Sequence, residues 1–161
     1  YQDEQFRYLT EKLNGYITGA YIYNKMGLTE QVATTITIAT PNPVRRFRFK
    51  NLDIECVKAY CMVYPDESLV PYLRLLDAIK DMKRIPGTTG QDIYNRVKSQ
   101  YFNGYSLPEL EKIVSLAKSY PPRVRKVVAD ILGDIRQTVL QTEMAKTILP
   151  TTRFNLDYKT A

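Results

Sequence analysis

Apolar positions change their spacing along the chain, and each change marks an element. In residues 2–13, Phe6, Leu9 and Leu13 recur at intervals of three and four among Asp3, Glu4, Arg7, Glu11 and Lys12, which predicts a short amphipathic helix ended by Asn14-Gly15. A second helix is expected from Thr18, whose hydroxyl can cap it, to about Met26, with Gly27 at the stop position. The period then falls to two. Thr35-Ile36-Thr37-Ile38-Ala39-Thr40 alternates as a half-buried strand does, Pro41-Asn42-Pro43 turns the chain, and Val44 to Lys50 alternates again. Arg46, Arg48 and Lys50 then share one face and Phe47 and Phe49 the other. After a turn at Asn51, Leu52, Ile54 and Cys56 alternate with Asp53, Glu55 and Val57. Both connections are too short for a parallel crossover, so the expectation is an antiparallel meander.

Helical spacing returns after the bridge Met62-Val63-Tyr64 and Pro65-Asp66-Glu67-Ser68. Tyr72, Leu75, Leu76, Ile79 and Met82 form one stripe, capped by Asp66 or Ser68 and closed by Pro86-Gly87. The loop Gly87-Thr88-Thr89-Gly90 leads into a helix carrying Asp92, Ile93, Val97 and Tyr101 and ended by Asn103-Gly104. Ser106-Leu107-Pro108-Glu109 is a capping box with proline in the first turn, and Leu107, Leu110, Ile113, Val114 and Ala117 follow as an inward stripe. Tyr120-Pro121-Pro122 breaks that helix. A longer one follows, with Val124, Val127, Val128, Ile131, Leu132 and Ile135 inward, running on to Ala145. Phe154, Leu156 and Tyr158 alternate, which predicts an edge strand returning to the meander. Strands first and helices after imply a single α+β domain over 1–161: a small antiparallel sheet in about 15–64, helices in about 68–147 and a strand-like tail at 150–158.

Composition adds little to the fold and more to the chemistry. The 161 residues are 44% hydrophobic and 25% charged, as in a soluble globular protein. Thirteen tyrosines against five phenylalanines and no tryptophan place many half-polar rings at core edges or interfaces. Cys56 and Cys61 are too close along one stretch to meet disulfide geometry, so they are expected as buried thiols in a reducing, cytoplasmic setting. No apolar run reaches membrane length and no signal peptide is visible. The net charge of +6 is spread over successive thirds of the chain, which suits a nucleic acid, an acidic partner or simply a solvated surface.

Histidine is absent, which removes Ser-His-Asp and Cys-His machinery as well as His-based zinc and two-His iron sites. Two cysteines cannot close a zinc site alone, so no catalytic residue, metal or cofactor is expected. Asp77 and Asp81, and Asp130 and Asp134, sit one helical turn apart and can hold Mg²⁺ if they face a cleft; Lys80, Arg84 and Lys126 account for both pairs as helix-surface ion pairs. Gly87-Thr88-Thr89-Gly90 lacks the preceding strand and the Gly-Lys-Ser/Thr of a phosphate loop. The strongest binding candidate is the stripe Arg45, Arg46, Arg48 and Lys50, either a phosphate-tracking face or a charge-guarded sheet edge. A second cluster, Arg123, Arg125 and Lys126, stands at a helix start, where cations oppose the helix dipole.

Gly15-Tyr16-Ile17-Thr18-Gly19, Tyr23-Asn24-Lys25-Met26-Gly27-Leu28-Thr29-Glu30-Gln31-Val32 and Ile36-Thr37-Ile38-Ala39-Thr40 resemble the head of the C-terminal domain in the AbiEi-like antitoxin and transcriptional-regulator family of bacterial abortive-infection, type IV toxin–antitoxin systems. The likeness continues at Leu75–Asp81, Ile85-Pro86, Tyr120–Arg125 and Leu149–Thr152. It implies a non-enzymatic domain that follows a winged helix-turn-helix. Such a domain supports operator-DNA binding by the longer protein and antagonises a nucleotidyltransferase-like toxin. The winged part does not lie within these residues, since one short helix precedes Gly15. In the matching stretch Gly27 is expected to end a helix, Leu28 and Val32 to anchor a loop and Thr29 to cap. The rival readings are a metal-dependent enzyme acting on nucleic acid or nucleotide through the aspartate pairs, and a plain protein-interaction domain with a tyrosine-rich surface.

Overall fold

The computed structural model describes residues 2–43, 45–61 and 66–161; Val44 and the Met62-Val63-Tyr64-Pro65 bridge lie outside the described residues. The chain divides into two compact units, 1–77 and 78–161, with the boundary inside one helix. The class is α+β: a four-stranded sheet early in the chain, then helices.

The first unit contains α1 (Gln2–Leu13), β1 (Tyr16–Thr18), α2 (Ala20–Lys25), β2 (Thr35–Thr40), β3 (Arg46–Phe49), β4 (Leu52–Lys58), a 3₁₀ turn at Glu67–Leu69 capped by Asp66, and most of α3 (Val70–Lys80). The sheet order is β1-β2-β4-β3, and the expected meander is corrected at its centre: β2 and β4 run parallel, from Thr35 opposite Asp53 to Thr40 opposite Lys58. β1 and β3 pair antiparallel with β2 and β4. The short-connection argument failed because β3 itself belongs to the excursion. Residues 41–45 need only step over one strand position, about 10 Å, and five extended residues reach about 17 Å. Burial chooses this order. β4 contributes Ile54 and Cys56 to the core, whereas Arg46 and Arg48 of β3 are exposed, so the charged strand takes the edge.

Both early helices end in the same device. Asn14 has φ 50° and the Gly15 N–H donates to the Thr10 carbonyl at 2.9 Å; Gly27 has φ 78° and the Leu28 N–H donates to the Tyr23 carbonyl at 2.9 Å. This is the Schellman closure, and Leu28 and Tyr23 are both buried, which supplies its usual apolar contact. The start of α2 differs from expectation. Thr18 closes β1, and Gly19 with φ 80° takes the cap position with no side chain to offer. Thr29 holds the following loop, its buried hydroxyl accepting from the Gln31 N–H at 3.2 Å, but Val32 is 76% exposed and anchors nothing.

The second unit continues from α3 through α4 (Gly90–Gln100), α5 (Leu107–Ala117), α6 (Pro122–Asp134) and α7 (Thr138–Ala145). Thr89 caps α4, and the Ser106–Glu109 box opens α5 with both reciprocal bonds made. Ile93, Val97, Ile113, Val127, Ile131 and Leu132 are fully buried, whereas Leu107, expected inward, is 54% exposed. The long helix expected to reach Ala145 breaks at Arg136. That residue takes φ 65°, and its N–H donates to the Gly133 carbonyl while the Gln137 N–H donates to Leu132, a Schellman closure with arginine where glycine is usual. Residues 152–161 form no strand; they run as an irregular segment along α4 and α6.

Candidate functional site

The aspartates predicted on helix surfaces are mostly inside. Asp77 on α3 is 3% exposed, and one of its carboxylate oxygens accepts from the Tyr16 hydroxyl at 2.7 Å and the Thr18 hydroxyl at 2.8 Å. Arg74, one turn earlier, donates from Nε to the Ile17 carbonyl at 2.8 Å. Burial lowers the pKa of Arg74 against the opposing pull of Tyr16 and Asp77. Asp81 instead faces Lys80 at 3.6 Å and Arg84 at 3.3 Å. The Asp77–Asp81 pair therefore splits between a buried network and the surface.

In the second unit, Asp130 accepts from Lys126 at 3.0 Å and from the Tyr158 hydroxyl at 2.8 Å. Asp134 accepts from Tyr94 at 2.7 Å, Lys98 at 3.0 Å and the Ala161 N–H at 3.0 Å. The Tyr94 and Tyr158 rings stack at 4.3 Å. Burial, reinforced by these carboxylates, pushes both phenols far above their ordinary pKa, so both remain donors. Burial raises the Asp134 carboxyl, but the bonds from Tyr94, Lys98 and Ala161 outweigh it and the net shift is downward. Among the described residues no group of three or more cysteine and carboxylate side chains is placed to hold a metal ion. What the arrangement does is fix carboxylates under hydroxyl donors.

The sign of that shift sets a test. A depressed folded-state pKa adds stability above the unfolded value, about 3.9, and loses it as pH falls through the lower folded value. Asp134→Asn is therefore expected to flatten the acid limb of a stability–pH curve below about pH 4 and to leave its shape unchanged between about pH 6 and about pH 9, below the range where tyrosine titrates. An acid limb identical to wild type would remove Asp134 from the account.

The two basic clusters are engaged within their own units. Arg46 and Arg48 project outward from β3, but each forms a cross-strand ion pair, with Glu55 and, at 2.8 Å, with Asp53. Arg45 lies over the Phe47 ring at 4.7 Å on the opposite face. Lys50 leaves the alternation altogether, occupying the β3–β4 turn with φ 55° over Phe49. Arg123 reaches Asp157 and the Ile79 carbonyl, both at 3.5 Å; Arg125 donates to the carbonyls of Tyr120 and Thr147; Lys126 is bound to Asp130. Cys56 is a buried thiol beside Arg45; burial raises its pKa and outweighs the arginine. Cys61 is only half-buried.

One further concavity in the first unit, about 400 Å³, is lined by Phe6 and Tyr16, with Arg7 and Arg74 facing Glu11, Asp66 and Glu67. Its carboxylates outnumber its cations by one, so it is no anion site.

Fold and side-chain chemistry together define an α+β protein with buried tyrosine–aspartate networks and partly neutralised basic surfaces. No family model, curated protein or solved structure matches the chain.

Proposed function

We propose that this chain is a non-enzymatic, cytoplasmic antitoxin and transcriptional-regulator domain, antagonising a nucleotidyltransferase-like toxin and supporting operator-DNA binding by a longer protein. The observation that supports the reading is that the first three resembling stretches, Gly15–Gly19, Tyr23–Val32 and Ile36–Thr40, are packed together as neighbours in the first unit. Gly15 passes so close to β2 that a β-carbon would lie 2.2 Å from the Ala39 carbonyl oxygen. Gly19, with positive φ, sits against Thr37 in the same way, Gly27-Leu28 closes α2, and Ile36–Thr40 is β2 itself. These three stretches thus make one contiguous β1–α2–β2 element of the fold.

Charge supports an anionic partner and suggests where it docks. Cations and carboxylates balance over 1–77, so the whole +6 surplus falls in 78–161. The β3 stripe carries four cations, but Glu55 and Asp53 stay beside any phosphate that displaces them. Lys118, paired to Glu143 on α7, and Lys146, at the α7 end beside the Arg125–Thr147 contact, form an exposed basic corner.

Co-expression with the toxin-like product of the adjacent gene is expected to restore growth; failure of folded chain to do so overturns the reading. On a random duplex of about 20 base pairs, Lys118→Gln with Lys146→Gln should reduce the salt slope by roughly one to two, more than Arg46→Gln with Arg48→Gln. The reverse order would return the contact to β3.

A further inference from the structure

Residues 152–161 have no regular secondary structure, yet Asn155, Asp157, Tyr158, Lys159 and Ala161 are each bound by Lys83 or by side chains of α4 and α6. The Asn155 carbonyl accepts from Lys83 at 2.5 Å, and Asp157 meets Arg123. Tyr158 is the segment's one buried side chain, stacked on Tyr94 with its hydroxyl on Asp130. Gln91 holds the Lys159 backbone from both sides: its oxygen accepts from the Lys159 N–H at 2.6 Å, and its amide nitrogen donates to the Lys159 carbonyl at 3.3 Å. A side-chain amide that bonds both backbone groups of one residue does for an extended peptide what a neighbouring strand does.

Two features mark this face as a receptor and the segment as its ligand. First, the receptor's carboxylates keep partners without the occupant. Asp130 keeps Lys126, and Asp134 keeps Tyr94 and Lys98, so withdrawal of the segment strands no buried carboxylate. Second, the receptor is relieved to admit the ligand. Gly90, in the first turn of α4, lies where a β-carbon would stand 1.9 Å from the Asp157 carboxylate, so the missing side chain is the space Asp157 uses.

We propose that the face shared by α4 and α6 is a binding site for an extended peptide carrying an Asp-Tyr pair, and that residues 152–161 occupy it as a ligand held in cis. The tyrosine is the anchor, Arg123 and the glycine gap select the preceding carboxylate, and Gln91 fixes the backbone direction. This holds independently of the antitoxin reading.

The test uses the full chain and a fluorescein-labelled peptide of residues 152–161. Tyr158→Ala disables the internal ligand and is expected to bind the peptide saturably, about tenfold or more tighter than wild type, whose own segment competes at millimolar effective concentration. A peptide with Tyr158→Ala or Asp157→Ala should not bind. Gly90→Ala should raise the rate of tryptic cleavage after Arg153 several-fold while leaving the helical circular dichroism intact, since alanine there favours the helix and only Asp157 is displaced. Equal peptide affinity for wild type and Tyr158→Ala, or indifference to the peptide's tyrosine, overturns the proposal. Global unfolding of Tyr158→Ala does so too, because the segment is then a core element and not a ligand.

Discussion

Gly15→Ala is expected to destabilise the chain by about 3 kcal/mol, with a matching fall in the urea midpoint. The cause is steric and not conformational. A β-carbon at residue 15 would sit 2.2 Å from the Ala39 carbonyl oxygen and 3.0 Å from the Ile38 side chain. The nearest obstacle is backbone, which cannot rotate away. Relief requires β1 to draw back from β2, and Tyr16 is paired with Ala39 in the very next register position. The same movement pulls on the closure of α1, because the Gly15 N–H donates to Thr10. Gly104→Ala is the control: a β-carbon there meets nothing within 4 Å, and the change should stay within about 0.5 kcal/mol. If the two variants unfold at the same urea concentration, the close approach of β1 to β2 is not a stabilising constraint.

The elements that could be read in advance are those whose signals are local. Ser106-Leu107-Pro108-Glu109 contains every group its capping box uses, and the period-two runs at 35–40 and 52–58 required only neighbours of known spacing. Strand order was not local. It depended on which strand could least tolerate an edge, and β4 won the centre through Ile54 and Cys56. The break at Arg136 was hidden for another reason: no glycine or proline marks it, and the Schellman bonds compensate an arginine with positive φ. The aspartates misled most. An i,i+4 spacing to lysine looks the same whether the carboxylate faces water or a phenol many residues away. A usable signal was present, however. Asp77 stands among Leu73, Leu75, Leu76, Ala78 and Ile79, and Asp130 between Ala129 and Ile131, all buried, in a chain with thirteen tyrosines to serve as donors. The rings expected at core edges with wet hydroxyls are, at Tyr16, Tyr94 and Tyr158, buried with their hydroxyls on carboxylates.

Asp77→Ala is expected to cost about 4 kcal/mol, the range for stripping a buried charged group from its donors. Two hydroxyls lose a common acceptor at once, since Tyr16 and Thr18 converge on the same carboxylate oxygen. Arg74, half-buried and bonded to the Ile17 carbonyl, loses the negative charge that offsets its own desolvation. Asp77→Asn separates the contributions. An amide oxygen in the same place can accept from both hydroxyls, so this variant should lose only the charge and cost about 1–2 kcal/mol. Tyr16→Phe should cost about 1 kcal/mol in the wild-type background and almost nothing after Asp77→Ala, because its acceptor is then already gone. That non-additivity is the decisive reading. Were Tyr16→Phe equally damaging in both backgrounds, the phenol would be drawing its stability from some other group. If Asp77→Asn proved as damaging as Asp77→Ala, the charge and not the hydrogen-bond acceptor would hold β1 to α3, and Arg74→Gln would then be the variant that reproduces the loss.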